Sequence, residues 1–457
     1  DCEGYLIRIK HLYGDLSYVA LIQEIRSELS KGKQKGKKVY VYLDGYATLP
    51  SYYLASVSDI VVMPPMGAIS QLGIQFELLK FEDAMKKFGI GYQFIQSGKY
   101  KVATSPLSPK LSLSQRLTIK NSLENIMSQV KNDIQVSRLD PIDSSIYDGR
   151  IISAENAKRL GLIDEIAFWA DMKDIIRDDI KNDSDLVLTS LGAFEDDQPI
   201  DYLWSSFNKI AIVEINGPIQ SGRNQAGVIF GGVNTGADEI SAIFEGLKRD
   251  PFLQGVILRV NSPGGSIIAS DQILNAIQDF KEMTQKPVYA SMGNIAASGG
   301  YYVAMGSDQI FANASTITGS IGVVTGFFNF SEFEKTWGIS SETLSTGKYM
   351  DAFSPHQPIS NDALAMFQSF QHESFTHFKS LVQSSRDLTD DEVNAIAQGQ
   401  FMTGEEAHSV GLVDTIGSYS DAVKAMEDDL GLKSSRVVIL GRPKQVNPFG
   451  FLQFLFN

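Results

Sequence analysis

The sequence repeats itself once, and this repeat constrains the fold more than any other feature. Four segments of the first half match segments of the second half at separations of 249 to 251 residues. The matched pairs are residues 4–10 with 255–261, 52–60 with 301–309, 97–101 with 346–350, and 149–164 with 399–414. So nearly constant a separation indicates a tandem duplication, in which both halves fold into the same kind of unit.

Each half alternates strand patterns with helix patterns. Residues 256–260 and 287–290 are apolar runs typical of buried strands, and residues 269–280 between them have helical apolar spacing. Thr389 and Thr403 each precede a glutamate by three residues, which is the pattern of a capping box at the start of a helix. This alternation predicts an α/β fold with largely parallel strands.

The duplication also predicts domain boundaries. The first repeat is assigned to residues 1–193 and the second to residues 207–457, with a linker at 194–206 that carries acidic residues and a proline. Strand-like residues 209–215 open the second repeat, whereas only three residues precede Gly4 in the first. The first repeat is therefore expected to lack its opening strand and helix, about 45–50 residues by comparison with the second.

Composition narrows the possible partners. The 457 residues carry a net charge of −14, which argues against a nucleic-acid partner. The single cysteine, Cys2, excludes an internal disulfide, and the five scattered histidines indicate no metal site. No apolar run is long enough to span a membrane, and the apolar tail at 449–456 is expected to pack on a domain or subunit surface. The basic run at 31–38 is expected to be a solvated loop before a strand.

The two halves differ where a catalytic site is expected. Ser298, among small residues between a predicted strand and a predicted helix, aligns with Leu49, so only the second half has a hydroxyl there. Lys101 aligns with Met350, so only the first half has an amine there. The glycine pair in residues 261–266 is also kept only in the second half. Because each half retains what the other lacks, the sequence predicts one site shared by both.

Ser298 and Lys101 together indicate a serine–lysine dyad. A serine hydroxyl is a weak nucleophile and needs a base beside it. A lysine can be that base when burial keeps its amine neutral near pH 7, and the apolar neighbours of Lys101 are compatible with burial. Taken singly, each residue also has an ordinary interpretation, a tight strand–helix turn for Ser298 and a solvated side chain for Lys101.

Acyl transfer also needs donors for an oxyanion. The backbone N–H groups of Gly265 and Gly299 could converge near Ser298, and Ser320 could orient the lysine or be an ordinary turn serine. No histidine lies in a recognisable base motif, and Ser298 is not in a Gly-x-Ser-x-Gly sequence. A Ser-His-Asp triad is therefore the weaker hypothesis.

Four motifs, taken together, resemble the signal peptide peptidase A (protease IV) family in its long two-domain form. They are residues 98–101, 259–266, 296–302 and 317–322, and the resemblance extends over essentially the whole chain. It implies two tandem Clp-protease/crotonase-like α/β spiral domains. The roles that it implies are nucleophile for Ser298, general base for Lys101, lysine positioning for Ser320, and oxyanion donors for Gly265 and Gly299.

The resemblance also implies a setting for the reaction. The expected substrates are cleaved signal peptides and similar apolar peptide segments, and neither ATP, metal nor another cofactor is expected. The chain is expected to form a homotetramer and to be held at a membrane by an N-terminal anchor outside this sequence. Its catalytic domains would then lie outside the cytoplasm, on the periplasmic side or its equivalent, while the chain as given is expected to be soluble.

Two other functions remain open from the residues alone. One is an acyl-CoA hydratase-like enzyme of the same broad fold, which would use backbone N–H groups to stabilise a thioester enolate. The alanines before Ser298 and the paired Lys101 count against it. The other is a non-catalytic scaffold, and the retention of one complete set of catalytic parts across the two halves counts against that.

Overall fold

The structure is a computed structural model that describes residues 3–10, 18–138, 144–180, 186–189, 208–226, 233–343, 349 and 351–441. Several features named above lie outside the described residues, namely Cys2, Met350, the linker at 194–206 and the tail at 449–456. Within the described ranges, no helix is both long enough and apolar enough to cross a membrane.

The first half is a parallel sheet with helices on both faces. Its strands are β1 (Gly4–Ile9), β2 (Lys38–Leu43), β3 (Tyr46–Ala47), β4 (Ile60–Met63), β5 (Ala68–Ile69), β6 (Gly91–Ser97), β7 (Ile152–Ser153) and β8 (Glu165–Ile166). Its helices are α1 (Val19–Gln34), α2 (Leu49–Ala55), α3 (Glu82–Lys87), α4 (Leu113–Arg138), α5 (Ala154–Arg159) and α6 (Met172–Ile180). The main sheet has the order β1-β2-β4-β8 with every pair parallel, and a small sheet has the order β3-β5-β7.

Strand β2 shows why this sheet is covered on both sides. Val39, Val41 and Leu43 are buried against α1, α2 and α4. Tyr40 and Tyr42 point the other way and are buried against α6. A nearly continuous apolar run of this kind is typical of a parallel strand with both faces buried.

The second half repeats this architecture. Its strands are β9 (Lys209–Asn216), β10 (Ile219–Gln220), β11 (Gln225–Ala226), β12 (Val233–Gly236), β13 (Leu253–Ser262), β14 (Val288–Ala297), β15 (Gln309–Ala312), β16 (Ile317–Gly319), β17 (Val323–Asn329), β18 (Phe401–Thr403), β19 (Thr415–Ile416) and β20 (Arg436–Leu440). Its helices are α7 (Ala237–Leu247), α8 (Ile267–Thr284), α9 (Gly299–Ala304), α10 (Ser331–Trp337), α11 (Asn361–Arg386), α12 (Asp390–Ile396), α13 (Gly404–Ser409) and α14 (Tyr419–Asp429).

The sheet topology confirms the predicted α/β duplication. The main sheet of the second half has the order β18-β16-β14-β13-β9-β20, with β15 beside β14 and β19 beside β15. The series β13, β14, β15, β19 therefore repeats β1, β2, β4, β8, and these strands are again parallel. Strand β9 lies between β13 and β20, whereas β1 is at an edge of its sheet among the described residues.

The local predictions have mixed outcomes. The capping boxes at Thr389 and Thr403 are present at the starts of α12 and α13. The prediction of a solvated loop at residues 31–38 is wrong at its start, because α1 continues to Gln34. Lys31 is held there by an ion pair with Asp421 of the second half, with 2.7 Å between Nζ and Oδ1.

A strand pair joins the two halves next to the predicted site. Strand β6 of the first half pairs antiparallel with β17 of the second, and Ser97 lies opposite Val323 in the register. The rings of Tyr92 and Phe328 pack edge to face across this pair, with centroids 4.6 Å apart. The pairing carries the chain that follows Ser97, which includes Lys101, to the loop between β16 and β17.

Helices of the first half make further contacts with the second. The carboxylate of Glu24, on α1, accepts two hydrogen bonds from Arg259, with a shortest distance of 2.6 Å. Gln129, on α4, accepts a hydrogen bond from the hydroxyl of Ser315 at 2.6 Å. Charged pairs with two parallel hydrogen bonds are among the stronger polar contacts, so these contacts fix how the two halves meet.

Candidate active site

Ser298 occupies a strained turn between β14 and α9. Its backbone has φ 54° and ψ −118°, a conformation that costs a residue with a side chain about 1–3 kcal/mol. The surrounding structure holds it there, since the Ser298 N–H donates to the Gly319 carbonyl and the Tyr302 N–H donates to the Ser298 carbonyl, both at 2.9 Å. A Cβ added at Gly264 would lie 2.7 Å from the Ser298 Cβ, so only glycine fits beside this turn.

Helix α9 is anchored in the same way as its counterpart in the first half. Tyr301 is fully buried and its hydroxyl donates to the Leu412 carbonyl at 3.0 Å. Tyr52 of α2 makes the equivalent bond to Leu162 at 3.0 Å. The two halves therefore share the scaffold of this turn, and the second half alone carries the hydroxyl of Ser298 on it.

Lys101 reaches across from the first half to Ser298. Its Nζ lies 2.7 Å from the Ser298 Oγ, 2.6 Å from the Ser320 carbonyl oxygen and 3.1 Å from the Ser320 Oγ. Two N–H groups donating to Ser320 would leave the lone pair of a neutral amine free to accept the hydroxyl proton of Ser298. The three contacts therefore suit an uncharged Lys101 poised as a base.

The surroundings of Lys101 favour its uncharged form. Burial removes water from the ammonium group and lowers the pKa of Lys101 from its ordinary 10.5 to about 7. A base with a pKa near the working pH is largely unprotonated and still basic enough to accept a proton.

Ser320 lies beneath the lysine in another special backbone conformation. Its φ is 50°, and its N–H donates to the Gln400 carbonyl at 2.7 Å. Its carbonyl and hydroxyl both face the Lys101 amine, as the contacts above describe. The structure therefore brings together the three predicted side chains of the site.

The two predicted oxyanion glycines are neighbours. A Cβ added at Gly299 would lie 3.1 Å from the nitrogen of Gly265, so the two backbones are in close contact. Among the described residues, neither N–H has a hydrogen-bond acceptor. Two free N–H groups beside Ser298 can stabilise a negative oxygen that forms there.

A cavity of about 270 Å³ opens at the dyad. Lys101, Ser298 and the two glycines line one side of it, and its other walls are largely apolar. Those walls include Ile267 and Ile268 at the start of α8, Val324 of β17, and Phe370 and Phe378 of α11.

None of the histidines that the structure describes is part of this site. The described histidines are His356, His372, His377 and His408, and none of them lines the cavity. His11 lies outside the described residues. The Ser-His-Asp alternative therefore gains no support from the described part of the chain.

Two contacts of the site were not predicted from the sequence. Gln371 on α11 is buried beside the cavity, and its Nε2 donates to the Val323 carbonyl at 2.7 Å. Gly399 lies directly against the backbone of Lys101. The only signal for Gly399 was its place in the repeat, where it matches Gly149, and no pattern pointed to Gln371.

Comparison with known proteins shows which family the sequence matches. The sequence matches Peptidase family S49 twice, over residues 31–182 and 281–433, once in each half. It is 30% identical to Protease 4 of Haemophilus influenzae over 92% of this chain and 70% of that protein. It is 28% identical to the chloroplastic serine protease SPPA of Arabidopsis thaliana, over 93% of this chain and 64% of that protein.

A third relative, Protease 4 of Salmonella typhi, is 29% identical over 88% of this chain and 66% of that protein. The chain thus spans roughly two thirds of the length of the relatives that it matches. These matches confirm the resemblance drawn from the four motifs: the chain belongs to peptidase family S49, a family of serine peptidases.

Proposed function

We propose that the chain is a serine endopeptidase whose dyad is shared between its halves, with Ser298 as nucleophile and Lys101 as general base. The observation that carries this proposal is the 2.7 Å separation between the Lys101 Nζ and the Ser298 Oγ. The lowered pKa of Lys101 supports it, because only an unprotonated amine can accept the serine proton.

The proposed reaction begins when the Ser298 Oγ attacks the scissile carbonyl and its proton passes to the Lys101 Nζ. The N–H groups of Gly265 and Gly299 stabilise the resulting oxyanion. The ammonium of Lys101 then returns the proton to the leaving amine as the C–N bond breaks, which leaves an ester on Ser298. A water attacks this ester, again giving its proton to Lys101, and the acid product leaves as Ser298 regains its proton.

Ser320 has a positioning role in this proposal. Its carbonyl and hydroxyl oxygens accept hydrogen bonds from the Lys101 amine in the free enzyme. They also stabilise the ammonium that exists between the two proton transfers, since a charged donor strengthens these bonds. The amine thus stays aimed at Ser298 through the cycle.

The proposed substrates are apolar peptide segments, including cleaved signal peptides. The apolar walls formed by Ile268, Val324 and Phe370 support this class, because an apolar side chain gains free energy by leaving water for such a cavity. Relatives named Protease 4 and SPPA support it through the family resemblance alone.

Covalent labelling tests the dyad and its pH dependence together. A serine-reactive phosphonate is expected to label Ser298 at a rate that rises with pH, with a midpoint near pH 7, and that levels off at alkaline pH. The rate rises because Lys101 loses its proton as the pH passes its lowered pKa of about 7. Mass spectrometry of the labelled peptide gives the site, and stopped-time labelling from pH 5 to 10 gives the midpoint.

A labelling midpoint near 10.5 would mean that Lys101 keeps its ordinary pKa, and a flat profile would place the base elsewhere. A hydratase-like enzyme or a non-catalytic scaffold predicts no covalent labelling of Ser298 at any pH. Labelling at another serine would contradict the assignment of the nucleophile.

The proposal includes a homotetramer, and an exposed apolar surface on the first half supports it. Tyr46, Met66 and Ile151 border the small sheet β3-β5-β7 and are 62%, 92% and 72% exposed. The repeat places Ser315 at the position of Met66, and in the second half helices α1 and α4 cover that position through Gln23 and Gln129. In the proposed assembly, the matching helices α8 and α11 of a second copy cover the first-half surface, and four such contacts form a closed ring.

Met66→Asp is expected to break this assembly, because it places a charge in an apolar contact between subunits. It should not affect the fold, since Met66 is exposed in the single chain. Light scattering during gel filtration should show the wild type as a tetramer and the variant mainly as smaller species. Phe168→Asp, which changes an exposed residue just before α6 and on none of the elements that would meet, is the control and should remain tetrameric. A wild type that is monomeric at micromolar concentration would contradict the ring.

Membrane attachment is the last part of the proposal. The family resemblance supports an N-terminal anchor outside this sequence, with both catalytic halves outside the cytoplasm. Fractionation of cells that express the full-length protein, together with the accessibility of the catalytic halves to added protease, tests this placement. Recovery of the full-length protein in the cytosolic fraction would contradict it.

A further inference from the structure

A short segment of the second half connects the two loops that carry Lys101 and Ser320. The carbonyl of Gln398 accepts a hydrogen bond from the Tyr100 N–H at 2.8 Å, and the carbonyl of Gln400 accepts one from the Ser320 N–H at 2.7 Å. Between them, the Gly399 N–H donates to the Ile321 carbonyl at 3.0 Å. Residues 398–400 therefore bond to both sides of the site at once.

The backbone of Lys101 rests directly on Gly399. A Cβ added at Gly399 would lie 2.8 Å from each of the N, Cα and Cβ atoms of Lys101, closer than carbon atoms pack. A glycine of the first half packs against the same segment of the second half in a similar way. A Cβ added at Gly98 would lie 2.8 Å from the carbonyl carbon of Gln398. No side chain separates the two halves at this point.

The repeat shows that this contact is special to the site. Gly399 matches Gly149 of the first half, and both have positive φ, 76° and 87°. A Cβ added at Gly149 meets nothing within 4 Å, whereas one at Gly399 collides with Lys101. The turn alone accounts for a glycine at either position, but only Gly399 also has a packing reason to lack a side chain.

We propose that Gly399 is a positioning residue that sets the distance from the Lys101 amine to Ser298 by supporting the lysine's backbone. The inference rests on the proposed dyad and adds to it a residue of the second half. A side chain at 399 would push Lys101 away from its 2.7 Å contact with Ser298 and admit water to the amine. Misplacement of a reacting group by about 1 Å can cost about 100-fold in rate.

The test compares Gly399→Ala with Gly149→Ala, which add the same methyl group to matched turns of the same backbone geometry. Gly399→Ala is expected to lower kcat on an apolar peptide substrate by about 100-fold, with KM changed by less than about threefold. Its rate–pH midpoint is expected to move to higher pH, because a hydrated Lys101 regains part of its ordinary pKa. Gly149→Ala is expected to keep the wild-type kcat and midpoint and to lose less thermal stability than Gly399→Ala, because it shares the strain of a positive φ but meets no neighbouring atom.

If Gly399→Ala fails to fold, a second pair of matched glycines tests whether packing against Lys101 sets its position. Gly322 matches Gly73, and neither has a positive φ. A Cβ added at Gly322 would lie 2.7 Å from the Ser97 carbonyl oxygen and 3.2 Å from the Lys101 Cδ, whereas one at Gly73 meets only the Tyr147 carbonyl oxygen at 3.4 Å. Gly322→Ala is expected to shift the rate–pH midpoint upward, and Gly73→Ala is not.

The outcomes separate this inference from the dyad itself. If Lys101→Met is inactive while Gly399→Ala behaves like Gly149→Ala in kcat and midpoint, the dyad stands and the positioning role is overturned. An equal loss of kcat in both alanine variants with unchanged midpoints would also overturn it, since that is the signature of a general loss of stability. If Lys101→Met keeps its activity, the dyad fails first.

Discussion

Ser298→Ala and Lys101→Met are each expected to abolish useful peptidase activity. Loss of the serine removes the only covalent route and should cost about six orders of magnitude in kcat, as for nucleophiles in other serine peptidases. Loss of the lysine should cost about three to four orders of magnitude, the upper range for a general base. Methionine is chosen because it is the residue at the matching position of the second half.

The control is Lys99→Met, two residues away. Lys99 is exposed, its amine lies over the Tyr100 ring, 5.2 Å from the centroid, and it does not line the cavity at the dyad. Its replacement should leave kcat within about twofold of the wild type, since changes at exposed positions away from a site have small effects.

The double variant of Ser298 and Lys101 should be no slower than Ser298→Ala alone, because groups that act as a unit are not additive. A Lys101→Met enzyme with more than a tenth of the wild-type kcat would contradict the shared dyad.

Lys101→Met is also expected to make the protein more stable at neutral pH while it loses activity. A lysine with a pKa of about 7 in the folded state and 10.5 when unfolded destabilises the fold at pH 7 by about 4 kcal/mol. The variant removes this cost but also loses the hydrogen bonds to Ser320, each worth about 1 kcal/mol. The net gain in the free energy of unfolding should be about 2 kcal/mol at pH 7.

The sign of this effect changes with pH in a defined window. The cost of burying the amine is full below pH 7, falls as the pH rises from 7 to 10.5, and is absent above 10.5. At pH 10 the variant should therefore be no more stable than the wild type. Urea unfolding of both proteins at pH 7 and pH 10, followed by fluorescence, measures the difference. An advantage of the variant that is the same at both pH values would contradict the lowered pKa.

The duplication made the proximity of Ser298 and Lys101 in the candidate site predictable from the sequence. Each half has lost a catalytic residue type that the other keeps, since Leu49 stands at the position of Ser298 and Met350 at that of Lys101. This pattern is visible without any structure. The parallel sheets were predictable for a similar reason, since buried strands such as β2 and β13 are nearly continuous apolar runs. The repeat predicts only that the two sheets share a strand order, and the series β13, β14, β15, β19 matches β1, β2, β4, β8 in this way.

The remaining features depend on contacts that local sequence does not encode. Strands β6 and β17 pair across the two halves, and neither sequence specifies so distant a partner. Ser320 has a positive φ, and so does Gln71 at the matching position. The residue types at this position therefore did not predict the backbone conformation. The sequence around Gly399 is compatible with an ordinary turn glycine, and only the structure places the backbone of Lys101 against it. The boundaries predicted at 193 and 207 fall outside the described residues and remain predictions.

The distance along the chain between the dyad residues has a consequence for biosynthesis. Ser298 and Lys101 are 197 residues apart and meet only after β6 has paired with β17. Contacts between such distant segments form late, because a long loop must close before they contribute. A chain still emerging from the ribosome carries the lysine without its serine, and a fragment cut between the halves carries one without the other. On the proposed dyad, the chain gains peptidase activity only after both halves have been synthesised and have folded against each other.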